Sequence, residues 1–173
     1  NNHITIRNCE VCSSASAIKF GTASYGGFRN IEIDSIRIKD TFRSAIALEC
    51  VDGGVLEDVH VSHIEARNVG NAIFIRLGDR SGSSAGIVRN IHIQDLYCEV
   101  PFGRPDIDYD LRGPEVNFFH NPFPSSITGI PGHPVENVLL KNITIVYPGR
   151  ASKGMAYLPL SRLKDIPELE KSY

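Results

Sequence analysis

No apolar run in this chain approaches the ~20 residues that a membrane-spanning helix requires, so no membrane span is expected. Neither sign of charge is in excess: 18 Lys and Arg stand against 20 Asp and Glu, a formal net charge of −2. That balance lacks the basic surplus of a nucleic-acid binder or of a protein that docks on an anionic membrane. Cysteine is scarce, with only Cys9, Cys12, Cys50 and Cys98. Cys9-x-x-Cys12 has zinc-like spacing, but no second close Cys/His pair follows to complete four ligands. All four are expected as plain core thiols, with no metal and no cofactor. An initiator Met and a signal-like opening are also missing. Asn1-Asn2-His3-Ile4 enters a strand directly, and the natural N-terminus is expected upstream.

What the chain does have is a repeat. Its 173 residues are 42% apolar, enough for the core of one domain. One pattern recurs five times: a polar residue, apolar-x-apolar, two mostly polar residues, then apolar-x-apolar again. The copies are His3-Ile-Thr-Ile-Arg-Asn-Cys-Glu-Val11, Asn30-Ile-Glu-Ile-Asp-Ser-Ile-Arg-Ile38, Asp58-Val-His-Val-Ser-His-Ile-Glu-Ala66, Asn90-Ile-His-Ile-Gln-Asp-Leu-Tyr-Cys98 and Asn137-Val-Leu-Leu-Lys-Asn-Ile-Thr-Ile145. The steps between Ile4, Ile31, Val59, Ile91 and Val138 are 27, 28, 32 and 47 residues. A second pattern lies between the first three copies: Ser16-Ala-Ile-Lys-Phe20, Ser44-Ala-Ile-Ala-Leu48 and Asn71-Ala-Ile-Phe-Ile75, with steps of 28 and 27.

Both patterns alternate apolar with polar, the period of a half-buried strand. No unit contains the 3.6-residue periodicity that an αβ solenoid needs. Stacked all-β coils remain, each incomplete alone and each burying its apolar residues against the next. The prediction is an all-β, right-handed, single-stranded parallel β-helix in which Ile4, Ile31, Val59, Ile91 and Val138 form one interior column. The chain reads as one domain, 1–173, and as a fragment of a longer β-helix. Repeat coils fill 2–100 and 135–147, a Pro/Gly-rich insertion fills 101–134, and an irregular tail fills 148–173. The loop from Gly78 to Gly86 reads as a flexible hairpin or excursion. The long insertion carries Tyr109, Phe118, Phe119, His120 and Phe123; its aromatics favour a functional loop over a disordered one. Pro159 and Pro167 limit the tail to a short helical turn between Leu160 and Leu169.

Several stretches resemble glycoside hydrolase family 28, the polygalacturonase family. They are Ser16-Ala-Ile-Lys-Phe-Gly-Thr22 followed by Phe28-Arg-Asn-Ile31, Val51-Asp-Gly-Gly54, Ile73-Phe-Ile-Arg-Leu-Gly78 and Phe123-Pro-Ser-Ser-Ile-Thr-Gly-Ile-Pro-Gly-His133. The resemblance covers the chain from Asn2 to about Gly149. It implies the same β-helical fold and a secreted or periplasmic bacterial enzyme that cleaves pectin-like, galacturonate-containing polysaccharide by inverting acid/base hydrolysis. The family's acidic motifs, Asn-Thr-Asp and Asp-Asp, occur nowhere in this chain, so the catalytic carboxylates are expected upstream. The family histidine of Gly-His-Gly falls on Ser16. The family's Arg-Ile-Lys, which clamps the sugar carboxylate, falls on Ala47-Leu48-Glu49.

With Ile18, Phe20, Ile46, Leu48, Ile73 and Ile75 inward, alternation turns Lys19, Gly21, Ala47, Glu49, Phe74 and Arg76 outward. In the family this face is the substrate cleft. Lys19 and Arg76 then grip an acidic sugar through charge-assisted hydrogen bonds, and Phe74 offers a stacking surface. The plainer alternative is a rung-to-rung Glu49–Arg76 salt bridge. Asp52 is the best lone carboxylate beside the face, although Gly53-Gly54 favours a turn role. His120 is a further cleft candidate in the insertion. His60, His63 and His92 belong to first-pattern strands and read as surface or turn residues; Asn142-Ile-Thr144 fits a sequon whose structural role dominates. The competing function is a non-catalytic carbohydrate-binding or adhesin-like scaffold. A calcium-dependent lyase ranks last, because only Glu49 and Asp52 are at hand as ligands. The oligomeric state is open.

Overall fold

The computed structural model describes residues 2–80, 82, 84–106, 125–149 and 153–156. Its strands are β1 (Asn2–Ser13), β2 (Ile18–Phe20), β3 (Phe28–Cys50), β4 (Val55–Leu77), β5 (Ile87–Glu99), β6 (Ser126–Thr128) and β7 (Val135–Val146). Every pairing between them is parallel, in the order β1-β3-β4-β5-β7, with β2 on β3 and β6 on β4. This is the predicted parallel β-helix. The register matches Ile4 to Ile31, Ile31 to Val59, Val59 to Ile91 and Ile91 to Val138. Parallel columns run through Ile33, Val61 and Ile93, and through Ile36, Ile64 and Leu96. Each of these side chains is 1% exposed or less; full burial of such a residue contributes about 1.5–3 kcal/mol.

The polar residues of the repeat turn the coil. Three columns of backbone corners have positive φ. One holds His3, Asn30, Asp58, Asn90 and Asn137; the next holds Asn8, Ser35, His63, Asp95 and Asn142; the third holds Asp40 and Asn68. Short polar side chains tolerate this left-handed conformation better than apolar ones, which is why the apolar alternation is interrupted there in each coil. The corners also bond along the stack. Asn90 Nδ2 donates to Asp58 Oδ1 at 2.9 Å and Asn137 Nδ2 to Asn90 Oδ1 at 2.8 Å. Asn68 donates to Asp40 at 2.7 Å. Asn142, the sequon residue, donates to Asp95 at 2.6 Å.

Three expectations change in detail. Cys50 and Cys98 are buried, but Cys9 is exposed and Cys12 half-buried. Cys9 does occupy the core column of Ile36, yet β1 is the outermost strand of the described stack, so that column is open beside it. The insertion predicted for 101–134 contains β6, which re-enters the stack beneath Phe74-Ile75-Arg76. A three-residue strand with one apolar side chain carries too little alternation to be seen in sequence. The excursion from Gly78 to Gly86 is tied at both ends. Gly78 N–H donates to Cys50 O at 3.0 Å, Arg80 N–H to Val51 O at 2.8 Å, and Ile87 N–H to Gly54 O at 3.0 Å. A single helical turn, Lys153–Ala156, is described in the tail; the segment from Leu160 to Leu169 lies outside the described residues.

Candidate functional site

The second-pattern strands place their outward residues in two columns. Lys19, Ala47, Phe74 and Ser126 form one, and Arg76 follows Glu49 and precedes Thr128 in the other. Adjacent strands in such a sheet lie about 4.8 Å apart. The six inward residues are buried as predicted, from Ile18 at 8% exposed to Ile46 and Leu48 at 0%.

The outward row is less open than alternation implies. Lys19 is exposed, but Phe74 and Arg76 are only half-buried to solvent, and Ala47 and Glu49 are buried at 1% and 5% exposure. Burial lowers the Arg76 guanidinium pKa from its ordinary value. Glu49 does not form the expected rung-to-rung bridge to Arg76. Its Oε1 accepts from the Lys19 ammonium, one coil back and two residues along. The cause is local. Gly21 occupies the position above Glu49, and a Cβ there would sit 2.3 Å from the Glu49 carbonyl oxygen. Without a side chain at Gly21, the diagonal neighbour Lys19 can reach across, a distance that long side chains span. The other carboxylate oxygen, Oε2, is buried without a hydrogen-bond partner among the described residues.

Asp52 takes the turn role. It is 6% exposed. Arg80 Nε donates to its Oδ1 at 2.9 Å, Arg80 Nη2 to its Oδ2 at 2.5 Å, and the Ala23 N–H to the same Oδ2 at 2.5 Å. Burial alone raises a carboxyl pKa, yet Asp52 lies below its ordinary value, because the Arg80 guanidinium and the Ala23 amide outweigh that penalty. One carboxylate therefore clasps loops from three successive coils. Sequence inspection treats Asp52 as solitary, although Asp52 and Arg80 stand 28 residues apart, one repeat period. The same spacing joins Arg29 to Glu57, whose two oxygens accept from Arg29 Nε at 2.5 Å and Arg89 Nε at 2.7 Å. Those two arginines lower the Glu57 pKa.

Ser16, at the family histidine position, is 9% exposed, and its Oγ accepts from the Ser44 N–H one coil on at 3.3 Å. His120 lies outside the described residues. Of the first-pattern histidines, His60 and His92 stack edge to face at 5.5 Å, and His63 caps a corner, with Nδ1 2.7 Å from Asp34 Oδ1. Among the described residues, a shallow hollow of about 390 Å³ opens on this outer side, lined by Asn8, Cys9, Glu10, Arg37, His63 and Glu65.

No helix among the described residues is long and apolar enough to cross a membrane. In comparisons with known proteins, no family model, no curated protein and no solved structure matches this chain.

Proposed function

We propose that this chain supplies coils of a secreted or periplasmic glycoside hydrolase acting on pectin-like, galacturonate-containing polysaccharide. The acid and base carboxylates of inverting hydrolysis would be carried on coils outside these 173 residues, and this segment would hold the sugar chain. The observation that carries the reading is the outward row of the second-pattern strands. There Lys19, Glu49, Phe74 and Arg76 lie on neighbouring coils, and a buried carboxylate oxygen has no donor among the described residues. Buried polar groups in folded proteins are nearly always satisfied, so a donor-rich ligand such as a sugar suits this position. The likeness of the Ser16–Thr22 and Phe123–His133 stretches to polygalacturonases supports the same face.

A second reading has its own support. Among the described residues, the other buried carboxylates are committed to arginines: Asp52 to Arg80, Glu57 to Arg29 and Arg89, Asp106 to Arg104. None of these three is poised as a general acid or base. A non-catalytic carbohydrate-binding scaffold accounts for that commitment directly. Affinity electrophoresis in gels containing polygalacturonate or rhamnogalacturonan, together with reducing-sugar release, tests both. Retardation without turnover by the 173-residue chain is the expected result. Turnover by this chain refutes the placement of the catalytic carboxylates elsewhere, and absence of retardation in both gels removes the assignment to galacturonate-containing polysaccharide.

A further inference from the structure

The geometry points to a subsite at Glu49 that takes a neutral, hydroxyl-bearing sugar unit and excludes a uronate; this deepens the carbohydrate reading above and rests on it. The Lys19–Glu49 pair sets the charge at this point of the row. Lys19 is the cation that reaches Glu49, and its ammonium is already bonded to Oε1. The pair is close to neutral as it stands. A sugar carboxylate bonding to Lys19 must share its single positive charge with Glu49. It would leave two carboxylates facing each other beside a strand whose other side chains, Ala47 and Leu48, are buried at 1% and 0% exposure. An uncompensated buried charge is strongly disfavoured.

A sugar diol meets no such conflict. Oε2 of Glu49 has its lone pairs unused among the described residues and accepts from a hydroxyl. Lys19 keeps its bond to Oε1 and has two further N–H donors for a hydroxyl or ring oxygen. Lys19 is also the member of the pair nearer to solvent, its side chain 30% exposed against 5% for Glu49. It is therefore the arm that an arriving ligand meets and that must shift to admit it. One coil along, Phe74 occupies the column of Lys19 and Ala47 and is half-buried, so part of its side chain meets solvent. An apolar sugar face packs on such a ring. Donor, acceptor and ring together describe a neutral pyranose.

Two probes isolate the claim because they differ only at C6: α-1,4-linked galactotetraose and α-1,4-linked tetragalacturonate. Titration calorimetry on the 173-residue chain is expected to give at least about ten-fold tighter binding of the neutral probe. Glu49→Gln, which keeps the shape and removes the charge, is expected to narrow the ratio to about three-fold or less, chiefly by improving the acidic probe. Phe74→Ala is expected to weaken both alike. Glu49 is buried, so a variant that fails to fold is replaced by a salt series on the unaltered chain. From low to high NaCl the acidic probe tightens and the neutral one does not move. Tighter binding of tetragalacturonate by the unaltered chain overturns the neutral subsite and leaves the carbohydrate reading standing. So does a ratio unchanged in a folded Glu49→Gln variant, or acidic binding that weakens with salt. Binding of neither probe, with no retardation in the polysaccharide gels, overturns both.

Discussion

The two sides of each coil handle their outward side chains differently. On the first-pattern side they are mostly exposed and charged, and they pair along the stack: Arg7 with Glu32, Lys39 with Glu10, Arg67 with Glu99. Around the second-pattern strands, Glu49 and the neighbouring Asp52 are sunk below 10% exposure, and each pairs with one cation from an adjacent coil. The interior is alike on both sides; the exterior is not. A solenoid can thus repeat its core faithfully while its outer polar contacts differ from one side to the other, and substitutions should tell the two sides apart.

The largest difference is expected at Asp52. Asp52→Ala leaves the Arg80 guanidinium and the Ala23 amide without their acceptor across three loops. Breaking one side of a buried pair costs about 3–5 kcal/mol, and because Arg80 is a third exposed and can turn to water, the lower end applies. Urea denaturation measures it. A loss equal to that of an exposed first-pattern carboxylate variant, Glu32→Ala, would erase the contrast between the sides. Asp52→Asn is the sharper comparison, since it keeps acceptor and shape but not charge.

The fold was legible because alternation and period are both properties of the core. The apolar residues that recur every 27 or 28 positions, such as Ile4 and Ile31 or Ile18 and Ile46, land in register. The exterior was legible only where partners sit one period apart in the same column or loop. Asp52 and Arg80 satisfy that rule, so the clasp was recoverable from spacing. Lys19 and Glu49, 30 residues apart, do not; that pairing depends on the missing side chain of Gly21, which no count of spacing reveals. The burial of Ala47 and Glu49 was likewise hidden, because alternation says which way a side chain points and not what lies over it. β6 escaped for a simpler reason, having one apolar residue in three.

If the interiors are equivalent, matched core truncations should cost the same. Ile64→Val on the first-pattern side and Ile46→Val on the second remove one methylene from side chains that are 1% and 0% exposed. Each is expected to cost about 1 kcal/mol. Unequal losses, measured by the same urea transitions, would show that the second-pattern side differs in packing as well as in its polar surface.

The smallest effect belongs to the exposed corner at His63, and pH separates it from the rest. The Asp34 carboxylate accepts from His63 and also from the Ser62 hydroxyl at 2.8 Å. The hydrogen bond from His63, then that from Ser62, lowers the Asp34 pKa to about 2, and the bond to Asp34 raises the pKa of His63. Asp95 lies on the far side of the ring, 3.7 Å from Nε2, and favours the imidazolium as well. For His63 the folded value lies above the unfolded one. Its contribution is complete below about pH 6.5, the ordinary histidine value, and is lost as pH rises through the folded value. For Asp34 the sign is opposite: the contribution is present above about pH 4 and is lost as pH falls toward 2. The pair therefore adds most between about pH 4 and 6.5. Thermal melts of the unaltered chain and of His63→Ala across pH 5 to 9 should converge on the alkaline side and separate on the acidic side. Curves that stay parallel through neutrality would mean that this corner is held by backbone geometry and apolar packing alone.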